Sequence, residues 1–280
     1  MDSNINIKFR TWAKGQPPTR IKLEVPGWGG NKQASNAQPW HCKPFIDGAT
    51  YGLEIVYPFD TEVTVTSDGN GVCNFEMESN KEWDTYGMST PFVSFAPFHF
   101  GFTSSLDIKT EEGYGILVLP HSRFFTDVKG EVPVPSIGLI ESDWWPNIFF
   151  IAFKAPLLNQ KYIFKKGEGI AQILVVPKKI NYNICKMDSK EEQERIELEN
   201  QLRKFGNRIY TRKWKDDKGN AFENKYKVLS NMESQEAGAT KKCLNQLEEQ
   251  LKGNHANLLT RRLVKQNENQ IIQNSKNRTV

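Results

Sequence analysis

The chain has 280 residues, 38% of them hydrophobic, with 37 Lys and Arg against 33 Asp and Glu for a formal net charge of +4. That length suits one large domain, or one domain with an appendage, and no apolar run approaches the roughly 20 residues a membrane span needs. The charge is split: residues 178–280 hold 22 basic and 14 acidic residues, and six of the seven tryptophans precede them, so the globular core is expected N-terminally and a basic, water-loving part C-terminally.

Residues 1–50 read as loop-rich, with short strands at Lys8-Phe9-Arg10-Thr11-Trp12 and Ile21-Lys22-Leu23-Glu24-Val25. Pro26-Gly27-Trp28-Gly29-Gly30 is turn chemistry and leads into an Asn/Gln/Ser loop. From Tyr51 to Pro177 the pattern is β. Leu53 to Tyr57 and Glu62 to Thr66 place branched or aromatic residues around polar ones, and Ser67-Asp68-Gly69-Asn70-Gly71 signals a hairpin. Gly115 to Pro120, Ile148 to Phe153 and Ile170 to Val176 are continuous apolar runs, which predicts strands buried on both faces. Many strands without an intervening helical period predict a mainly β domain over 1–180, a distorted barrel or jelly-roll. A basic, partly flexible helical extension is expected over 181–280. Its first helix starts with a capping box from Ser189 to Glu192 and ends near Gly206. A second covers Lys241 to Lys252, with Leu244, Leu247 and Leu251 on one face and Gly253 past its end, and a third covers Asn257 to Gln273. Residues 210–238 read as loop.

Met1-Asp2-Ser3-Asn4 lacks a basic region followed by an apolar stretch, so no signal peptide is expected. Cys42, Cys73, Cys185 and Cys243 have no metal-type spacing, which predicts free thiols in a cytoplasmic protein.

The most telling string is Lys166-Gly167-Glu168-Gly169-Ile170-Ala171-Gln172-Ile173. A lone Gln in an apolar run needs partners when buried. Upstream lie Leu119-Pro120-His121-Ser122-Arg123 and Gly138-Leu139-Ile140-Glu141-Ser142-Asp143-Trp144. In this order and spacing the three segments resemble the fourth, second and third motifs of the dUTPase and dCTP-deaminase family, with a weaker echo of the first motif at Ala49 to Leu53. The resemblance covers about residues 105–177. It implies a β-barrel or jelly-roll, a trimer, and nucleotide sites between subunits. Ser122 and Gln172 match phosphate-contacting positions. Glu141 stands at the water-activating Asp, Trp144 at the Tyr under the deoxyribose, and His121 at the phosphate-binding Arg, with Arg123 close by. Gly52 stands at the first-motif Asp that helps to hold magnesium, and the Gly-rich C-terminal arm of the family is not matched.

Triphosphate hydrolysis needs charge neutralisation, a metal and a placed water together. This set is incomplete, so the expectation leans away from an enzyme and toward a non-hydrolytic binding or scaffold protein, a homo-oligomer. The alternatives are an enzyme acting on a nucleotide or other small polar substrate, and an interaction module using the basic tail. No cofactor is expected; Mg²⁺ enters only with the nucleotide enzyme. Glu141 and His121 are the candidates for proton transfer, and Ser122, Arg123, Asp143, Trp144 and Gln172 for ligand contact. Each has a structural reading beside it. Glu141 and Asp143 are also turn caps, and Trp144-Trp145 either stacks on a ligand or packs in a core or subunit contact. Gln172 either touches a ligand or binds the main chain of a neighbouring loop. His99 reads as a hydrogen-bonded structural histidine. His41-Cys42, adjacent on a strand, would point to opposite faces. The basic C-terminal third reads as a solvated appendage or oligomerisation arm before a nucleic-acid surface.

Overall fold

The computed structural model describes residues 5–25, 40, 42–79, 81–87, 90–211, 213–215 and 221–252. The turn at 26–30 with its following loop, His41, Gly253 and the third helix lie outside the described residues. The chain divides into two compact units, Met1–Gly30 with Asp47–Asn181, and Asn31–Ile46 with Tyr182–Val280. No described helix is long and apolar enough to cross a membrane.

The first unit is mainly β, as expected. In chain order its strands are β1 (Lys8–Thr11), β2 (Thr19–Arg20), β3 (Leu53–Val56), β4 (Val63–Ser67), β5 (Cys73–Glu76), β6 (Phe92–Ala96), β7 (His99–Thr103), β8 (Leu106–Lys109), β9 (Tyr114–Leu119), β10 (Gly138–Ile140), β11 (Phe150–Lys154), β12 (Lys161–Phe164) and β13 (Gly169–Pro177). Helix α1 (Lys43–Ala49) precedes β3, and a single turn, α2 (Lys81–Asp84), follows β5. Every pairing is antiparallel. A five-stranded sheet runs β10-β9-β13-β3-β2, two three-stranded sheets run β11-β7-β6 and β12-β4-β5, and β1 pairs with β8.

Period-two alternation fills the core. Val63 and Val65, Phe100 and Phe102, Ile151 and Phe153, and Tyr162 and Phe164 point inward from four strands. Phe164 has ring neighbours in Phe92, Phe153, Tyr57, Phe100 and Phe102 at 4.9–6.1 Å. The buried Tyr57 hydroxyl donates to the Thr61 carbonyl at 2.8 Å, so its polar end is satisfied. The hairpin read at 67–71 joins β4 to β5, and Asp68 Oδ1 accepts from the Asn70 and Val72 amides to hold it.

In the first unit two expectations change and two short helices went unread. The strand read at 21–25 is replaced by the two-residue β2. Its ladder pairs Thr19 with Glu54 and Arg20 with Leu53, and the next partner, Gly52, turns away at φ +83°. The run from Ile148 to Phe153 is not buried on both faces: β11 begins at Phe150, and its residues alternate, because its three-stranded sheet packs on the core with one face. Helices α1 and α2 were not legible, each spanning seven residues or fewer.

In the second unit, α3 (Ser189–Phe205) is followed by a hairpin of β14 (Lys213–Lys215) and β15 (Ala221–Glu223), then α4 (Lys225–Gln235) and α5 (Ala239–Lys252). The capping box sits one residue earlier than read: Asp188 accepts from the Lys190 and Glu191 amides, and Glu191 accepts from the Asp188 amide. Gly206 caps the C-terminal end. Leu244 and Leu247 are buried with Phe205, Ile209 and Cys243. Val228, Leu229 and Met232 of α4 pack on that cluster, so most of the segment read as loop over 210–238 is hairpin and helix. Glu233 of α4 accepts from the Gly238 and Thr240 amides, capping the start of α5.

Candidate functional site

Strand β9 organises the residues singled out in the sequence. It lies between β10 and β13, so the three motif segments share one sheet. Its two ends carry two separate groups of polar side chains. Five residue steps at about 3.4 Å each put the groups ~17 Å apart.

At the Leu119 end, Thr19, Glu54, Gln172 and Leu119 form one row across β2, β3, β13 and β9. Residues directly opposite share a face, so Thr19, Glu54 and Gln172 form a polar stripe that ends at Leu119. Gln172 is 6% exposed. Its amide nitrogen donates to the carbonyls of Gly48 at 2.9 Å and Tyr51 at 2.6 Å, which uses both hydrogens to hold the turn before β3.

His121 opens a 3-10 turn over Ser122–Thr126 and is 1% exposed. Its Nδ1 accepts from the Arg123 amide at 3.2 Å, so Nε2 bears the proton and donates to Glu54 at 2.9 Å. The ring lies against Gly169, where a Cβ would sit 2.4 Å from Nε2; only glycine lets the imidazole in. Arg123 donates to the Gly169 carbonyl at 3.0 Å and to Glu168 at 2.7 Å, with Glu24 at 3.6 Å. Ser122 is buried beside them. The Arg123 guanidinium and the His121 imidazole are thus both engaged within the unit.

At the Tyr114 end, Glu141 and Asp143 follow β10. Lys178, just past β13, reaches Asp143 at 2.8 Å and Glu141 at 3.3 Å. The Trp144 indole donates to Glu141 at 2.6 Å. That bond, then Lys178, holds the Glu141 carboxyl below the usual carboxylate range. Lys178 does the same for Asp143, and Asp143 raises Lys178 in turn. Asp143 Oδ2 also accepts from the Gly113 amide at 3.1 Å, fixing the β8–β9 turn. Trp144 is 60% exposed, with Trp145 edge-on to it at 5.5 Å. Asp143, Trp144 and Lys178 line an open cavity of about 870 Å³ whose other walls are Asn6 to Lys8 and Lys109 to Gly113.

The seven candidates therefore divide: His121, Ser122, Arg123 and Gln172 lie at one end of β9, and Glu141, Asp143 and Trp144 at the other. Sequence reading missed Glu54 and Lys178. The alternation of Leu53-Glu54-Ile55 already puts Glu54 on the face away from Ile55. Lys178 is 35 residues from Asp143, and only the β9–β13 register brings it in. His99 binds the Pro97 carbonyl through Nδ1 at 2.9 Å. Among the described residues no group of three or more His, Cys, Asp or Glu is arranged to hold a metal.

The family's magnesium position is tested by Gly52. Its φ is +83°, and a Cβ would meet the Ile173 carbonyl oxygen at 2.4 Å. A side chain carrying a carboxylate does not fit there, so the residues present do not reproduce that metal site.

No family model and no curated protein matches the sequence. Among solved structures the chain is similar to the dUTPase from phage phi11 of S. aureus, at 12% identity and a TM-score of 0.33, over 66% of this chain and 99% of that one. It is also similar to an aspartate-to-asparagine mutant of that dUTPase, described for its coordination of a structural Mg(II) ion, at 11% identity and a TM-score of 0.33, over 66% and 97%.

Proposed function

We propose that the protein is a ligand-binding protein on a dUTPase-like fold that does not hydrolyse triphosphates. One observation carries the reading. The groups at the hydrolytic positions are split between the two ends of β9, and those at the Leu119 end spend their hydrogen bonds within the unit. His121 and Gln172 hold backbone and sheet together, and Arg123 ties the turn after β9 to β13. The exposed end keeps Trp144 beside a cavity, which suits binding.

The protein also works as a homo-oligomer, a trimer in the arrangement the motif resemblance implies. The outer face of the β11-β7-β6 sheet supports self-association, for Val93, Phe95 and Phe150 are all well exposed there and the two Phe rings meet edge to face at 5.7 Å. Apolar surface in one place favours a partner. The four cysteines are free, which fits a reducing, cytoplasmic setting.

The test is incubation with dUTP or dCTP and Mg²⁺, reading phosphate and pyrophosphate release alongside thermal shift. No turnover is expected. Mg²⁺-dependent turnover that Glu141→Gln abolishes would replace this reading with the enzyme. Sedimentation of Phe95→Glu should move toward smaller species; a monomeric wild-type protein would remove the oligomer.

A further inference from the structure

The ribbon of β1 and β8 places two cross-strand charge pairs on one face. Arg10 lies opposite Asp107, and their side chains bond at 2.7 Å. The neighbouring pair is Lys8 opposite Lys109. Like charges directly opposite destabilise a ladder, and among the described residues neither lysine has an ion-pair partner. Both border the cavity described above.

Asp143, in the same lining, carries a second anomaly. The Asp143 side chain is 7% exposed. Its Oδ2 is bonded to Lys178 and Gly113, but its Oδ1 is buried with no hydrogen-bond partner. A buried acceptor without a donor is costly. The exposed Trp144 indole lines the same space. Among the described residues Lys8 and Lys109 thus stand without an ion-pair partner although Glu111 and Glu112 line the same cavity, Asp143 Oδ1 lacks an N–H or O–H donor, and the Trp144 ring lines the space with them.

We propose that this cavity binds a small oxyanion whose phosphate or carboxylate sits between Lys8 and Lys109. A flat body packs on Trp144, and an N–H or O–H donor at the ligand's other end satisfies Asp143 Oδ1. The proposal rests on the reading of the chain as a ligand binder and specifies the ligand's chemistry.

The test uses the full chain at low salt. 4-Aminophenyl phosphate, phenyl phosphate and 4-aminobenzoate are titrated by calorimetry and by tryptophan fluorescence. The amine-bearing phosphate should bind at least tenfold more tightly than phenyl phosphate, and comparison with 4-aminobenzoate tells phosphate from carboxylate. Lys8→Glu turns the like pair into an opposite pair. It should raise the melting temperature of the free protein and cut affinity for the preferred oxyanion at least tenfold. Lys109→Ala should cut affinity similarly if Lys8→Glu expresses poorly. Saturable binding unchanged in both variants would overturn the proposal, as would no binding of any probe, or equal affinity with and without the amine. Triphosphate turnover would remove the non-hydrolytic reading and leave the cavity's oxyanion chemistry to these titrations.

Discussion

Replacing Gln172 with Leu separates the two meanings of a buried amide. Leucine nearly conserves the volume and suits the apolar run, so it removes little besides the two N–H donors. Those donors hold the Gly48 and Tyr51 carbonyls at 2.9 and 2.6 Å. A hydrogen bond contributes about 1 kcal/mol net, and an acceptor left unmet costs about 1–3 kcal/mol. The Gly48 carbonyl keeps the Tyr51 amide at 3.4 Å, so one acceptor is left unmet and one further bond is lost, which, offset by the apolar gain of leucine, gives about 1–3 kcal/mol. That is a large share of the 5–15 kcal/mol typical of a domain. Urea denaturation should show a lower midpoint with an unchanged slope. Amide exchange should accelerate in the turn leading to β3, where the Tyr51 amide also bonds the Gly48 carbonyl. Ligand affinity measured well below the midpoint should stay within twofold of wild type. A variant with wild-type stability and lost ligand binding would refute the clamp and make Gln172 a ligand contact.

Phe164→Ala deletes a fully buried ring with five aromatic neighbours and should cost about 3–5 kcal/mol in the same denaturation assay; less than 1 kcal/mol would mean that the aromatic core is not packed as described. Asp188→Ala should cost the second unit about 1 kcal/mol and reduce helical circular dichroism, while Ser189→Ala changes neither by much; the reverse order would return the cap to Ser189. Glu141 and Asp143 have lowered folded-state pKa values, so their contribution is present above the ordinary carboxylate range, about 4, and is lost as pH falls through the folded values. The melting-temperature difference between wild type and Glu141→Gln should therefore be steady near neutrality and shrink in acid; a difference that grew in acid would contradict the pairing with Trp144 and Lys178.

The fold was legible where one period ran long enough. Residues 169–177, 114–119 and 63–67 each became a strand. What failed was local and short. α4 shows only Val228, Leu229 and Met232 at helical spacing, two turns that polar neighbours disguise, and tertiary packing on Leu244 and Leu247 makes the helix. The candidate site was half legible. The sequence marked the residues but not their separation, because proximity along a motif says nothing about which end of a shared strand a turn occupies. Glu54 and Lys178 had no motif to mark them; register across the sheet brings each to its partner.

Gly52 has a practical consequence for anyone wishing to place a carboxylate at the entry to β3. A single Gly-to-Asp exchange would push a new atom into the neighbouring strand's oxygen and demand a backbone twist that only glycine takes comfortably. The entry into β3 would have to be re-routed, with added residues to carry the chain clear, before any carboxylate there could face a metal.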